Sequence, residues 1–206
     1  MVVRNGDDGA TIDITGITSP DSRIVAGKFL LCVGTIEVRK NVGLLYMAYR
    51  EAALKGIDLP RMVVVGRAGW LTGDVLYQIA TDPVVKDKFV VLQGINDQHL
   101  RWLFENCRYT VFPSVYEGWG LPIAESLGYG KMCIASGTSS MTEMAGDLLE
   151  YHSPYNTQEL LDIMVKYLDD KVLHAKEREI ASKYKQHSWD DTYAQFDKFI
   201  QRLPRQ

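Results

Sequence analysis

Five short apolar runs, each followed by a stretch with helical periodicity, constrain this chain more than anything else in it. They are FLLCVG (29–34), RMVVVG (61–66), KFVVLQG (88–94), YTVFP (109–113) and KMCIAS (131–136), with a weaker sixth near 147–151. Helical patterns fill the intervals at 41–56, 73–81, 96–107 and 121–128. Strands that are apolar at nearly every position must be covered on both faces, and strands separated by helices pair in parallel. The pattern therefore predicts an α/β, Rossmann-like, doubly wound parallel sheet with helices on both faces. A helical tail follows, over 156–170 and 171–186, with a last helix opened by Ser188 or Asp190 and running to about Leu203. Residues 1–27, rich in turn formers, are expected to be an interdomain lead-in. Residues 28–187 are expected to form the domain, and 188–206 a C-terminal helix.

At 206 residues, 46% hydrophobic and 24% charged, the chain suits one ordinary domain with a full core. A net charge of −3 gives no global field toward nucleic acid or anionic lipid. No apolar run approaches membrane-spanning length. Three scattered cysteines read as buried free thiols, and four scattered histidines show no metal-ligand spacing.

In a doubly wound sheet, ligands lie beyond the carboxyl ends of the strands, which singles out the loops 34–41, 66–73, 93–97 and 113–122. In GTIEVRKN (34–41), Gly34 permits a sharp turn, and Arg39 and Lys40 stand before a helix N-terminus. Two cations beside unpaired amides suit a diphosphate; the alternative is two solvated charges with Asn41 as a helix cap. Arg67 in VGRAGW is readable as a contact to phosphate or base, or as an exposed charge. In VFPSVYEGWGLPIAES (111–126), Glu117 and Glu125 bracket a glycine-rich turn, with Pro122 in the first turn of a helix. Each carboxylate can accept two hydrogen bonds from a vicinal diol, and Gly118 and Gly120 let backbone amides approach a ligand. Taken singly, Glu117 reads better as a turn residue and Glu125 as a surface helix residue.

Taken in order, VGTIEVRKN, VVVGRAGW, LQGINDQHLRWLFENCRYTVFPSVYEGWGLPIAES and ASGTSSMTEMAGD resemble the retaining glycosyltransferases of GT-B type. The resemblance is to glycosyltransferase family four (glycosyl transferases group 1) in particular. It covers about residues 28 to 170 and rests most heavily on the spacing Glu117 to Glu125. It implies the carboxyl-terminal, donor-binding half of a two-domain fold. By this resemblance Glu117 is the catalytic residue facing the transferred hexose, and Glu125 binds the ribose. Lys40 and Arg39 hold the donor diphosphate, within a donor-binding set that includes Gly34, Thr35 and Arg67. The amides of Gly118, Trp119, Gly120 and Leu121 cradle sugar and phosphate, while Ile95 lies near the base.

Thr35 stands where many members have arginine, which leans the resemblance toward GDP-mannose, with a UDP-sugar as the alternative donor. The implied reaction moves a hexose to a glycan or lipid-linked acceptor held by a missing N-terminal domain, with retention. Neither metal nor cofactor is implied: no Asp-x-Asp triplet occurs. The implied setting is cytoplasmic, at the inner face of the membrane, with peripheral contact through the missing half. Two further alternatives are a non-catalytic nucleotide-sugar-binding module and an unrelated doubly wound protein whose glutamates are structural.

Overall fold

The structure, a computed structural model, describes residues 12–202. Its first half runs β1 (Phe29–Val33), α1 (Val42–Leu54), β2 (Arg61–Val65), α2 (Gly73–Thr81), β3 (Phe89–Leu92) and α3 (Asp97–Asn106). The second runs β4 (Tyr109–Phe112), α4 (Leu121–Gly128), β5 (Cys133–Ser136), α5 (Met141–Ala145) and β6 (Glu150–His152). Three helices close the chain: α6 (Thr157–Lys166), α7 (Asp170–Lys183) and α8 (Trp189–Gln201). Residues 1–11 of the expected interdomain lead-in and the expected helix end at Leu203 lie outside the described residues.

All six strands pair in parallel, in the order β3-β2-β1-β4-β5-β6. The chain winds outward from β1 through β2 to β3, then returns past β1 to lay down β4, β5 and β6. The order reverses between β1 and β4, which are joined only at Leu30 with Tyr109 and Leu31 with Thr110. The loops leaving these two strands therefore start at a topological switch point, the place where such sheets bind ligands.

Side-chain alternation explains why both faces are covered. Leu30, Cys32, Met62 and Val64 enter a large core shared with α1, α4, α6 and α7. Their neighbours Phe29, Leu31, Val63 and Val65 turn to the opposite face, against Leu103 and Phe104 of α3. With one set buried on each side, a register slip of one residue would exchange the two faces of the sheet. Cys32, Cys107 and Cys133 are buried and free, and burial pushes each thiol up to about 12.

Helix starts follow local chemistry. Asn96, Asn156 and Asp169 each accept hydrogen bonds from backbone amides two or three residues on, and Ser188 forms a reciprocal capping box with Asp191. The cap at Asp169 splits the tail at 169–170. The five-residue α5 has no counterpart among the expected elements. Residues 12–27 carry turns, yet Ile24 is buried, and Arg101 and Gln98 of α3 hold the carbonyls of Ile12 and Asp13. The amphipathic α8 exposes Trp189, Tyr193, Phe196, Phe199 and Ile200. No helix among the described residues is long and apolar enough to cross a membrane.

Candidate functional site

The loop after β1 is zipped to the loop after β2. Gly34 N–H donates to Val65 O (2.9 Å), Ile36 N–H to Arg67 O (2.8 Å) and Gly69 N–H to Ile36 O (2.6 Å). The approach is so close that a Cβ on Gly66 would lie 2.0 Å from the Gly34 carbonyl oxygen. Gly34 itself sits at φ +140°, and a Cβ there would meet Lys40 Cε at 3.3 Å. The Lys40 side chain therefore runs back across the bare face of Gly34.

Residues Val38–Lys40 form one 3-10 turn that ends at Asn41, in the left-handed region at φ 57°. Asn41 was expected as a side-chain cap of α1 in the alternative reading of this loop, and it does not cap. Its amide nitrogen instead donates to Pro113 O (3.1 Å) and Pro154 O (2.9 Å), tying together the loops that leave β1, β4 and β6. These tertiary hydrogen bonds hold the side chain between the loops, and it makes no bond to the first helical amides.

The strap across the switch point continues through Val115 N–H to Arg39 O (2.8 Å) and Arg39 Nη1 to Tyr116 O (2.6 Å). At its centre is Glu117. Its Oε1 accepts from Lys40 Nζ at 2.6 Å and its Oε2 from Arg39 Nη1 at 2.8 Å, while Arg39 Nη2 also reaches Glu37 at 2.6 Å. Two cations and two carboxylates thus balance one another. With 16% of Lys40 and 11% of Glu117 exposed, their pairing is little weakened by solvent. Burial pushes the Glu117 carboxyl up, but hydrogen bonds from Lys40 and Ser114, the Lys40 charge and Arg39 outweigh it and hold the group below its ordinary value.

The segment is held from the other side by the loop after β5. Thr138 Oγ1 donates to Val115 O (3.0 Å), Ser139 Oγ accepts from Glu117 N–H (3.0 Å), and Ser140 Oγ donates to Glu117 O (2.9 Å). The sequence places this loop within the family resemblance, in ASGTSSMTEMAGD, but assigns it no site residue, although Gly137-Thr138-Ser139-Ser140 directly follows a predicted strand. A run of hydroxyls at a strand's carboxyl end was the available signal.

Glu125 stands in the second turn of α4, which Gly120 precedes and in which Pro122 is the second residue. It is half-buried, and its side chain has no hydrogen bond or ion pair among the described residues. Burial alone pushes its carboxyl above the ordinary value. The two glutamates are therefore electrostatic opposites: one saturated with cations, the other desolvated and unneutralised.

The remaining residues are dispersed around this centre. Thr35 is exposed, its methyl lying against Gly69; Arg67 is exposed and contributes its carbonyl to the zipper. Gly118 is exposed, Trp119 packs half-buried on the large core, and Leu121 opens α4. Ile95 lies beyond β3, two strands from the switch point, half-buried against the α3 face.

Residues 20–188 match the family model described as glycosyl transferases group 1. Among curated proteins, the chain is 30% identical over 172 residues to O-antigen chain mannosyltransferase B of Escherichia coli, covering 81% of this chain and 44% of that protein. It is 25% identical over 146 residues to GDP-mannose:cellobiosyl-diphosphopolyprenol alpha-mannosyltransferase of Xanthomonas oryzae pv. oryzae, covering 71% and 37%. The fold also matches the crystal structure of Anabaena Alr3699/HepE in complex with UDP and glucose. There the TM-score is 0.69 at 19% identity, over 85% of this chain and 48% of that one. The chain thus spans less than half the length of each of these proteins.

Proposed function

Because the chain belongs to the glycosyl transferases group 1 family, we propose that it is the donor-binding half of a retaining hexosyltransferase. Its donor is a nucleoside diphosphate sugar, GDP-mannose by preference, and its acceptor a glycan or lipid-linked saccharide. In the two-domain fold that the family resemblance implies, the acceptor lies on the partner domain, and transfer requires both.

The observation that carries this reading is the meeting of Lys40, Arg39 and Glu117 at the point where strand order reverses. Breaking the bond between the anomeric carbon and the diphosphate leaves an electron pair on the departing oxygen. Lys40 and Arg39 receive that charge in a partly dry crevice, and the reading calls for no metal. To do so they release Glu117, whose carboxylate then turns to the hydroxyls or the developing positive charge of the hexose. Glu125, desolvated and without a partner, accepts from the ribose diol, whose two O–H groups suit one carboxylate.

Mannose is favoured because the two curated relatives described above carry mannosyltransferase in their names, one of them with GDP-mannose. A UDP-sugar is the second reading, supported by the UDP and glucose in HepE. Calorimetric titration with GDP, GDP-mannose, UDP and UDP-glucose in the presence of EDTA separates the two. Saturable binding of the guanine pair is expected; binding of the uridine pair alone would move the donor class, and binding of none would remove the reading.

A further inference from the structure

The carboxylate at the centre of the crevice is held by more than its ion pairs. Its own peptide group is gripped from both sides, the N–H by Ser139 Oγ and the carbonyl by Ser140 Oγ, while Thr138 secures Val115 two residues earlier. Three consecutive hydroxyls therefore hold three backbone groups of the short segment 115–117.

The grip comes with strain. Ser139 lies at φ 51°, one of three non-glycine residues in the left-handed region among those described. An L residue there is disfavoured relative to glycine, and such outliers persist where surrounding contacts hold them in place. Here the stabilising contacts are visible: Ser139 Oγ on Glu117 N–H, and Thr142 Oγ1 donating to Ser139 O at 3.3 Å. A glycine would adopt the same backbone without strain but could not accept from Glu117. Serine is the residue that a loop needs if the hydroxyl matters more than conformational ease.

We propose that Ser139 and Ser140 are positioning residues for Glu117: their hydroxyls fix its peptide so that the carboxylate reaches Lys40 before donor binds and the hexose afterwards. This rests on the assignment of Glu117 to the sugar. On the opposite side the segment is tied, among the described residues, to the β1 loop, through Arg39 O, Arg39 Nη1 and Lys40. Those side-chain ties are the ones a diphosphate displaces. When they go, the hydroxyls remain as the fixed support.

The test uses the chain with Ser139→Gly, Ser140→Ala, Ser140→Thr and Glu117→Ala. Ser139→Gly removes the acceptor while relieving the backbone, so melting temperature is expected to hold or rise. Its preference for GDP-mannose over GDP (or UDP-glucose over UDP, whichever pair binds) is expected to fall about fivefold, the loss that goes with one hydrogen bond. Ser140→Ala is expected to behave alike, and Ser140→Thr to restore the preference. The carboxyl 13C resonance of Glu117 gives a readout independent of nucleotide: in Ser139→Gly its titration is expected to move up toward an ordinary glutamate. Unchanged preference and unchanged Glu117 titration in Ser139→Gly and Ser140→Ala would overturn the proposal while leaving the sugar role intact, provided Glu117→Ala abolishes the preference. An unchanged preference in Glu117→Ala itself would sink both.

Discussion

Lys40 Nζ stands 2.6 Å from Glu117 Oε1 although 77 residues separate them, and Arg39 Nη1 holds the other oxygen at 2.8 Å. Both cations proposed for the diphosphate are thus already occupied by an anion of the chain itself. A free nucleoside diphosphate must compete with that carboxylate. On the proposed reading a nucleotide sugar competes as well, but offers Glu117 new hydroxyl partners in exchange.

Glu117→Ala is therefore expected to act in opposite directions on the two ligands. Free GDP or UDP should bind more tightly, by about three- to tenfold, since the substitution liberates two cations from charge-assisted bonds. The preference for the sugar-bearing form should disappear. Titrations of the variant with nucleotide and nucleotide sugar measure both, and equal weakening of the two would contradict the arrangement.

Glu125→Gln should trade binding for stability. Burial raises the folded-state value of this carboxyl, so its favourable contribution is complete below the unfolded value and is lost as pH rises through the folded one. At neutral pH the ionised group burdens the fold, and the glutamine removes that burden. A gain of about 0.5–2 kcal/mol, the common range for a single stabilising substitution, is expected near pH 7.5, and little near pH 4. Thermal melts at the two pH values check the sign; nucleotide affinity should fall at the same time.

Glu117 has the reverse dependence. Its depressed value means that its contribution is present above the unfolded value and lost as pH falls through the folded one. Glu117→Gln should therefore destabilise near neutrality and converge on the parent in acid. Chemical denaturation across that range is the measurement.

Gly66→Ala should be severe, because its Cβ would fall 2.0 Å from a backbone oxygen that no rotamer can move. A loss of about 3 kcal/mol or more is expected from denaturant melts, at the upper end of overpacking costs. Gly73→Ala, with nothing within 4 Å and a place in α2, is the control and should cost nothing.

Much of this was legible from spacing alone. The α2 span of 73–81 coincides with its expected range, and each expected strand is present, because unbroken apolar runs and turn residues report the sheet directly. What escaped were features set by contact across the crevice. Asn41 reads as a helix cap because asparagine before an apolar helix usually is one, but tertiary bonds to Pro113 and Pro154 took its amide. The short α5 carries too few residues for periodicity to register. The Lys40–Glu117 pair was invisible because its members were assigned separate partners on a ligand, and no local pattern says that they meet. Ser139 and Ser140 escaped for the same reason, since their partners lie more than twenty positions away.

The switch point has a consequence for how the molecule acquires its site. β1 and β4 meet last in any pathway that forms local pairs first, since their loops close over the greatest stretch of chain. Every bond in the strap from Arg39, Lys40 and Asn41 to the 113–117 segment crosses that seam. An intermediate with β1 to β3 assembled would own the two cations but not the glutamate. On the proposed reading such a species would attract phosphate without discriminating sugars, and selectivity for the donor would emerge only when the two halves of the sheet are joined.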